Sequence, residues 1–439
     1  MHPLDFVIFS AFALVFGLVA QRLERTPLTA PILAVGLGLV LGPLGLNLSR
    51  LDVEGSAVRV MAEFTLAFVL FHDAARIDLR VLRRNLAIPG RLLGPGLLMT
   101  IALGAALGSL VLGRDGIDGA GLGPWDIALL AALLAPTDAA LGQAVVSQEA
   151  VPARVRQALN VESGLNDGLV VPIVATLLAC AAGASAQTEL GLWTFARHAL
   201  QAAGFGVAFG LVIGFVSARL MDLAHAAGWM HHTARHGAIA AVPVLAYFGA
   251  ELVHGSGFLA AFVAGLTLGS VARRLERRSF DFTEDLGELL GHVTWITFGV
   301  AAAPFALSCA SPAVLGYALL SLTVVRMLPV ALALMGTGFA RDTVLFIGWF
   351  GPRGLATVVF ALTALSTPEL VRGEQVFGVA VWVVLLSVLL HGLTASALAR
   401  RYGARCGRRQ EFGTAAEHQS APELPFDRRP RLPGVAAGP

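Results

Sequence analysis

Uncharged apolar runs long enough to cross a bilayer recur along almost the whole chain, and this recurrence constrains the fold more than any other feature. The stretch from Leu92 to Leu112 is one example, with no charged residue in it. A helix needs about 20 such residues to span about 30 Å of hydrocarbon. Soluble domains rarely repeat that pattern, and 56% apolar against 14% charged residues over 439 positions lies well outside their usual composition. Transmembrane barrels are written in short alternating segments. The runs here are continuous, so they read as helices whose backbone groups are satisfied internally. The expectation is an all-α polytopic membrane protein.

Breaks between the runs place thirteen helices, near 4–20, 28–46, 58–75, 86–112, 125–146, 156–182, 192–217, 237–254, 257–270, 286–305, 313–336, 343–365 and 375–398. Arginine distribution tests the count, because cytoplasmic loops are enriched in basic residues. One set of loops and helix ends holds Arg22 and Arg25, then Arg76, Arg80, Arg83, Arg84 and Arg91, then Arg154 and Arg156, then Arg219 and Arg235, then Arg273, Arg274, Arg277 and Arg278, then Arg341. The alternate set holds little beyond Arg50, Arg59, Arg114, Arg197 and Arg372. Arg400, Arg401, Arg405, Arg408 and Arg409 fall in the rich set, which puts the C-terminus in the cytoplasm and, with an odd helix count, the N-terminus outside. The first run has no arginine before it and Arg22 and Arg25 after it, the reverse of a secretory signal. Residues 1–399 therefore read as a membrane domain and 400–439 as a disordered, Arg/Pro-rich cytoplasmic tail.

Other features exclude function classes. All 31 basic residues are arginine, and the net charge of +2 gives no reason to expect a nucleic-acid partner. Cys180, Cys309 and Cys406 have neither metal-ligand spacing nor an even count for a disulfide framework. His231, His232 and His236 cluster in a loop without carboxylate or thiol company, which reads as solvated loop more readily than as a metal site. No cofactor is implied.

Ionisable groups inside the runs carry the functional signal, since each costs roughly 2.5–3.5 kcal/mol or more at mid-bilayer. In the fifth run Ala135, Pro136, Thr137, Asp138 and Ala139 interrupt an apolar helix, and the proline frees carbonyls able to coordinate a cation. The structural alternative is a kink in which Asp138 caps a half-helix. In the sixth run Asn160, Ser163, Asn166 and Asp167 recur at helical spacing and form one polar stripe, placed to face Thr137 and Asp138. Glu162 lies beyond the edge of the stripe and needs its own partner. Arg353, in the Gly351-Pro352-Arg353-Gly354 break of the twelfth run, is the candidate, as a structural ion pair bracing the helices. Arg326 is also intramembrane, and its partner is left open. Asp73 ends the third run, beside His72, where it reads either as a cation-attracting carboxylate or as a solvated helix end. Repeats of runs one to six and eight to thirteen would align the two interrupted helices, as in transporters built from inverted repeats around a midplane ion site.

Taken together, Pro136-Thr137-Asp138-Ala139, Glu162-Ser163-Gly164-Leu165-Asn166-Asp167 and Pro352-Arg353-Gly354, in this order and at this depth, resemble the NhaP-type sodium:proton antiporters and their eukaryotic sodium:hydrogen exchanger relatives. The resemblance implies an inverted-repeat, NhaA-like fold of thirteen helices. It implies a core over about 58–182 and 286–365, dimerisation helices among the rest, a homodimer, and a multi-pass place in the cell membrane, the expectation being a bacterial inner membrane. It also implies that Asp167 binds cation and proton in turn, with Thr137 and Ser163 as oxygen ligands, Asn166 and Asp138 shaping the site and Asp73 near the ion path. Burial disfavours the charged carboxylate, so a proton and Na+, K+ or Li+ compete for one negative site and exchange follows. With Asn166 rather than a second acid beside Asp167, one charge exchanges for one. The competing readings are an intramembrane aspartyl protease using Asp138 and Asp167, a cation channel, and an organic-anion transporter. The sequence lacks the second glycine of a Gly-x-Gly-Asp pattern and a carbonyl filter of the potassium-channel type, and Arg326 is the one intramembrane arginine left for an anion.

Overall fold

The computed structural model describes residues 2–410 apart from 24–25, 27, 54, 78–86, 114–120, 139–140, 143–144, 146–147, 149, 186–188, 273–274 and 276. Ala139 of the fifth-run motif, Arg25, Arg80, Arg83, Arg84, Arg114, Arg273 and Arg274 of the charge pattern, and the tail from 411 onward lie outside the described residues. The described residues form helices and connecting segments. In chain order these are α1 (Pro3–Leu23), α2 (Ala30–Leu41), α3 (Ser56–Ala75), α4 (Ala87–Val111), α5 (Pro124–Leu133), α6 (Ala153–Ser185), α7 (Glu189–Ala226), α8 (His232–Leu252) and α9 (Gly257–Val271). They continue with α10 (Asp281–Ser308), α11 (Pro312–Ala333), α12 (Arg341–Trp349), α13 (Leu355–Leu365) and α14 (Gly373–Gln410). Seven of them are long and apolar enough to cross a membrane, and α2, α5, α9 and α13 are shorter apolar helices.

Irregularities sit where the sequence supplies a cause. α4 widens to a π turn over Leu92–Gly96, which contains Pro95, and α10 does so over Phe298–Ala302, just before Pro304. α11 is interrupted at Thr323, whose backbone (φ −109°, ψ −88°) leaves the helical region. α5 ends at Leu133 and gives way to the non-helical residues 134–138. α12 and α13 are likewise separated by a non-helical segment from Phe350 to Gly354.

α6 is the organising helix, packing against α3, α5, α7 and α13, while α3 is sandwiched by α9 and α10. Close approach rests on glycines. Gly206, Gly210 and Gly214, four residues apart on one face of α7, meet Ser256, the N-cap of α9, and Ala260 and Ala264 within it, with no room for a β-carbon. Gly265 and Gly269 of α9 lie in the same way against the α3 backbone at Phe71 and Ala75. Such small-residue faces let apolar helices gain van der Waals contact where lipid offers no hydrophobic drive. α1 and α7 present large apolar side chains outward, among them Phe6, Leu14, Leu18, Phe205, Val212 and Leu220.

The last helix runs past residue 399. α14 continues as one helix to Gln410, and Tyr402 and Cys406 are buried in a cluster with Val155, Leu159 and Phe346. Tyr402 also donates to Thr343 Oγ1 at 3.0 Å. An apolar face at helical spacing persists through the arginines, and it holds the helix down after the membrane run ends. All three cysteines are buried.

Candidate functional site

The two broken helices meet, and each completes the other. Asp138 N donates to Pro352 O at 2.8 Å, joining the break after α5 to the break before α13. The Asp138 carboxylate accepts from Leu355 N at 2.9 Å through Oδ2 and from Leu141 N at 3.2 Å through Oδ1. It therefore caps α13 and the helical residues that resume at Leu141, placing negative charge at two helix N-termini. Gly354 makes this approach possible, because a β-carbon there would fall on that carboxylate.

Three carbonyls at the break are engaged by side-chain donors. Arg353, fully buried, donates from Nη1 to Ala135 O at 2.5 Å and to Pro136 O at 3.0 Å. Thr357 donates to Leu133 O at 3.0 Å. For Ala135 and Pro136 the expectation that freed carbonyls coordinate a cation is thereby corrected, since a guanidinium on the same oxygens repels a second positive charge.

The expected Glu162–Arg353 ion pair is corrected as well. Glu162 is held by Arg326, Nη1 to Oε1 at 2.6 Å and Nη2 to Oε2 at 2.8 Å, a two-pronged pair with both side chains at most 5% exposed. Arg326 reaches it because Gly351 has no side chain, and a β-carbon there would strike the guanidinium. Arg353 is engaged by the unwound backbone, which needs donors more urgently than a carboxylate already paired.

Two residues of α14 that sequence reading missed secure the second break. Ser387 Oγ accepts from Arg353 N at 2.7 Å, and His391 lies with Nε2 2.9 Å from Trp349 O and Nδ1 3.3 Å from Ser387 Oγ. Nδ1 also lies 3.0 Å from Ser387 O, so the imidazole is held between two backbone carbonyls, one of them the last of α12, and the Ser387 hydroxyl. Their spacing of four on an apolar helix was the available signal.

The polar stripe of α6 faces Thr137 as its spacing suggested. Asn166 Nδ2 donates to Thr137 Oγ1 at 2.7 Å, and Thr137 Oγ1 and Ser163 Oγ share a hydrogen bond of 3.0 Å. Thr137, Ser163, Asn166 and Asp167 are all at most 7% exposed. Among the described residues neither Asp167 Oδ1 nor Asn166 Oδ1 has a hydrogen-bond partner, although both are buried. Asp73 of α3 comes to the same place, its β-carbon 3.7 Å from where one on Gly164 would sit. Asp73, Asp138 and Asp167 lie within electrostatic range of one another. The structure thus gathers hydroxyl, amide and carboxylate oxygens in a water-poor spot between α3, α5 and α6. A set of hard oxygen donors suits a monovalent cation or a proton and offers nothing to a soft metal. The histidine loop goes elsewhere: His231 caps α8 by accepting from Ala234 N at 3.3 Å.

The family profile described as "Sodium/hydrogen exchanger, transmembrane" matches residues 9–401. The chain belongs to the sodium/hydrogen exchanger family. This exchanger-family chain is a multi-pass protein of the cell membrane, and the match takes in every residue of the site just described. It is 28% identical over 413 residues to the Na(+)/H(+) antiporter NhaP of Pseudomonas aeruginosa, covering 89% of each chain. It is 26% identical over 388 residues to the K(+)/H(+) antiporter NhaP of Alkalimonas amylolytica, covering 87% of this chain and 64% of that one. Against the K(+)/H(+) antiporter NhaP2 of Shewanella baltica it is 25% identical over 275 residues, 46% of that protein, so the chain spans about half to two thirds of these potassium antiporters. Among solved structures it resembles the sodium proton antiporter MjNhaP1 from Methanocaldococcus jannaschii, with a TM-score of 0.70 at 21% identity over 91% of this chain and 99% of that one. That likeness establishes a shared fold.

Proposed function

We propose that this exchanger-family chain carries out secondary antiport, moving Na+, K+ or Li+ against protons by alternating access. The observation that carries the reading is Asp167, a buried carboxylate with an unpartnered oxygen beside Thr137, Ser163 and Asn166. A buried carboxylate binds either a proton or a cation, and each excludes the other. Thr137 and Ser163 supply neutral oxygens, Asn166 orients Thr137, Asp73 lies on the ion path, and Asp138 holds the two half-helices in register. Glu162 and Arg326 brace α6 against α11 without handling the ion.

The wider arrangement we propose has thirteen spans, the N-terminus outside and the C-terminus in the cytoplasm, and inverted repeats that bring the two breaks together. Core helices lie over about 58–182 and 286–365, and the outward apolar faces of α1 and α7 meet a second copy in a homodimer. One acid in the exchange position gives one proton for one cation, so turnover generates no membrane potential. The protease alternative is disfavoured because both Asp138 oxygens are committed to backbone N–H groups.

The test is proton movement in proteoliposomes on addition of Na+, K+ or Li+, with the native chain compared with Asp167→Asn. Cation-dependent alkalinisation that saturates and disappears in the variant is the expected result. A non-saturating flux independent of pH would assign a channel, and an unchanged signal in Asp167→Asn would remove this residue from the mechanism.

A further inference from the structure

The end of α3 that carries Asp73 also carries a fixed cation, one turn further on. Arg76 Nη1 donates to Glu284 Oε1 at 2.7 Å and lies 3.2 Å from His72 Nε2. His72 Nε2 is in turn 3.8 Å from Glu284 Oε2. Glu284 comes from the first turn of α10, which packs along α3. The Arg76 and Glu284 side chains are each 38% exposed, whereas His72 is buried beneath them. Both charges fall within electrostatic range of Asp73, which abuts α6 at Gly164, next to Ser163. Neither bonds to Thr137, Ser163, Asn166 or Asp167 in any hydrogen bond described above.

Stability is a weak explanation for this pair, because half-exposed ion pairs contribute about 0–1 kcal/mol. Its position matters more. A lone guanidinium beside Asp73 would repel an arriving cation and offer Asp73 a competing internal partner. Glu284, hydrogen-bonded to that guanidinium, cancels most of its field and keeps it turned toward α10.

We propose that Arg76 and Glu284 form a compensated charge pair that sets the cation affinity of the exchange site, Arg76 weakening cation binding and Glu284 restoring it. The inference rests on the antiport reading above. It assigns the two residues opposite signs, which a brace between α3 and α10 would not produce.

The experiment compares Arg76→Gln, Glu284→Gln and the double variant with the native chain, reading the apparent KM for Na+ or K+ and the maximal rate in proteoliposomes. Arg76→Gln is expected to lower the KM, and Glu284→Gln to raise it, each by about three- to tenfold for one unit charge in a half-solvated position. The double variant returns to within about twofold of the native value, and added choline chloride compresses all the differences by screening. Equilibrium binding of Tl+ to the purified proteins gives the same order of affinities without transport. That order of Tl+ affinities among the four proteins, with no proton movement by the native chain, would retire the antiport reading and keep the charge pair. Equal losses of folded yield or rate in all three variants with unchanged affinity would overturn the proposal, as would single variants shifting affinity in the same direction.

Discussion

Replacing either partner of the Glu162–Arg326 pair tests the most consequential contact in the structure. Two short hydrogen bonds, 2.6 and 2.8 Å, join side chains that are 3% and 5% exposed. Removing one member of such a pair leaves an uncompensated buried charge, at a cost of about 3–5 kcal/mol. Removing both, as Glu162→Gln with Arg326→Gln, leaves two neutral groups able to bond each other, and much of that cost should return. With the double variant costing no more than one single, the coupling between the positions is expected to be at least about 3 kcal/mol. Arg353 gives the internal comparison. Its Nη1 is committed to Ala135 O and Pro136 O, so Arg353→Gln damages the broken helix through its own contacts and couples to Glu162 by less than about 1 kcal/mol. Thermal loss of monodisperse protein in mild detergent reads the cycle at a fixed scan rate, since unfolding of a chain this large is irreversible. At about 1–2 °C per kcal/mol, extrapolated from the size scaling of smaller domains, each single variant of the pair should fall by roughly 3–10 °C. A larger coupling to Arg353 than to Arg326, or single variants within about 1 °C of native, would refute this assignment.

Three further outcomes are expected. Gly354→Ala drives a methyl into the Asp138 carboxylate and should cost about 2 kcal/mol or more in thermal stability, whereas Gly36→Ala, with no described atom near its β-carbon position, should be silent in the same assay. Thr137→Val keeps the shape but loses the hydroxyl that joins Asn166 and Ser163, so the apparent KM for the cation should rise by about three- to tenfold while folded yield is retained. Ser387→Ala strands the buried Arg353 N–H and should destabilise by about 1–3 kcal/mol, seen as a lower thermal midpoint, with Ser387→Thr restoring it.

Local rules read a good deal of this protein correctly. Hydropathy and length marked the apolar helices, and Pro136 and Pro352 marked where two of them break. A period of 3.6 residues put Ser163, Asn166 and Asp167 toward one side, where α6 meets Thr137. These properties belong to a few neighbouring residues and need no knowledge of what lies across the contact. The same reasoning stopped α14 too early, because it weighed the arginines after 399 and passed over Tyr402 and Cys406, whose burial needs α6 and α12 to exist.

What tertiary structure decided was partnership. Two buried arginines, 326 and 353, were available to one glutamate, and nothing within either segment ranks them. The choice turned on a missing side chain at Gly351 and on carbonyls of Ala135 and Pro136 that claimed Arg353 first. Likewise Asp138 became a cap for α13, more than 200 residues away, because Pro352 and Gly354 bring that backbone within hydrogen-bonding distance. Sequence by itself determined a membrane-embedded helical chain with charged groups at two broken helices, since the cost of burying such groups in lipid is a local property. Which charge neutralises which depends on distances of a few ångströms between helices remote along the chain, and only the packed structure sets those.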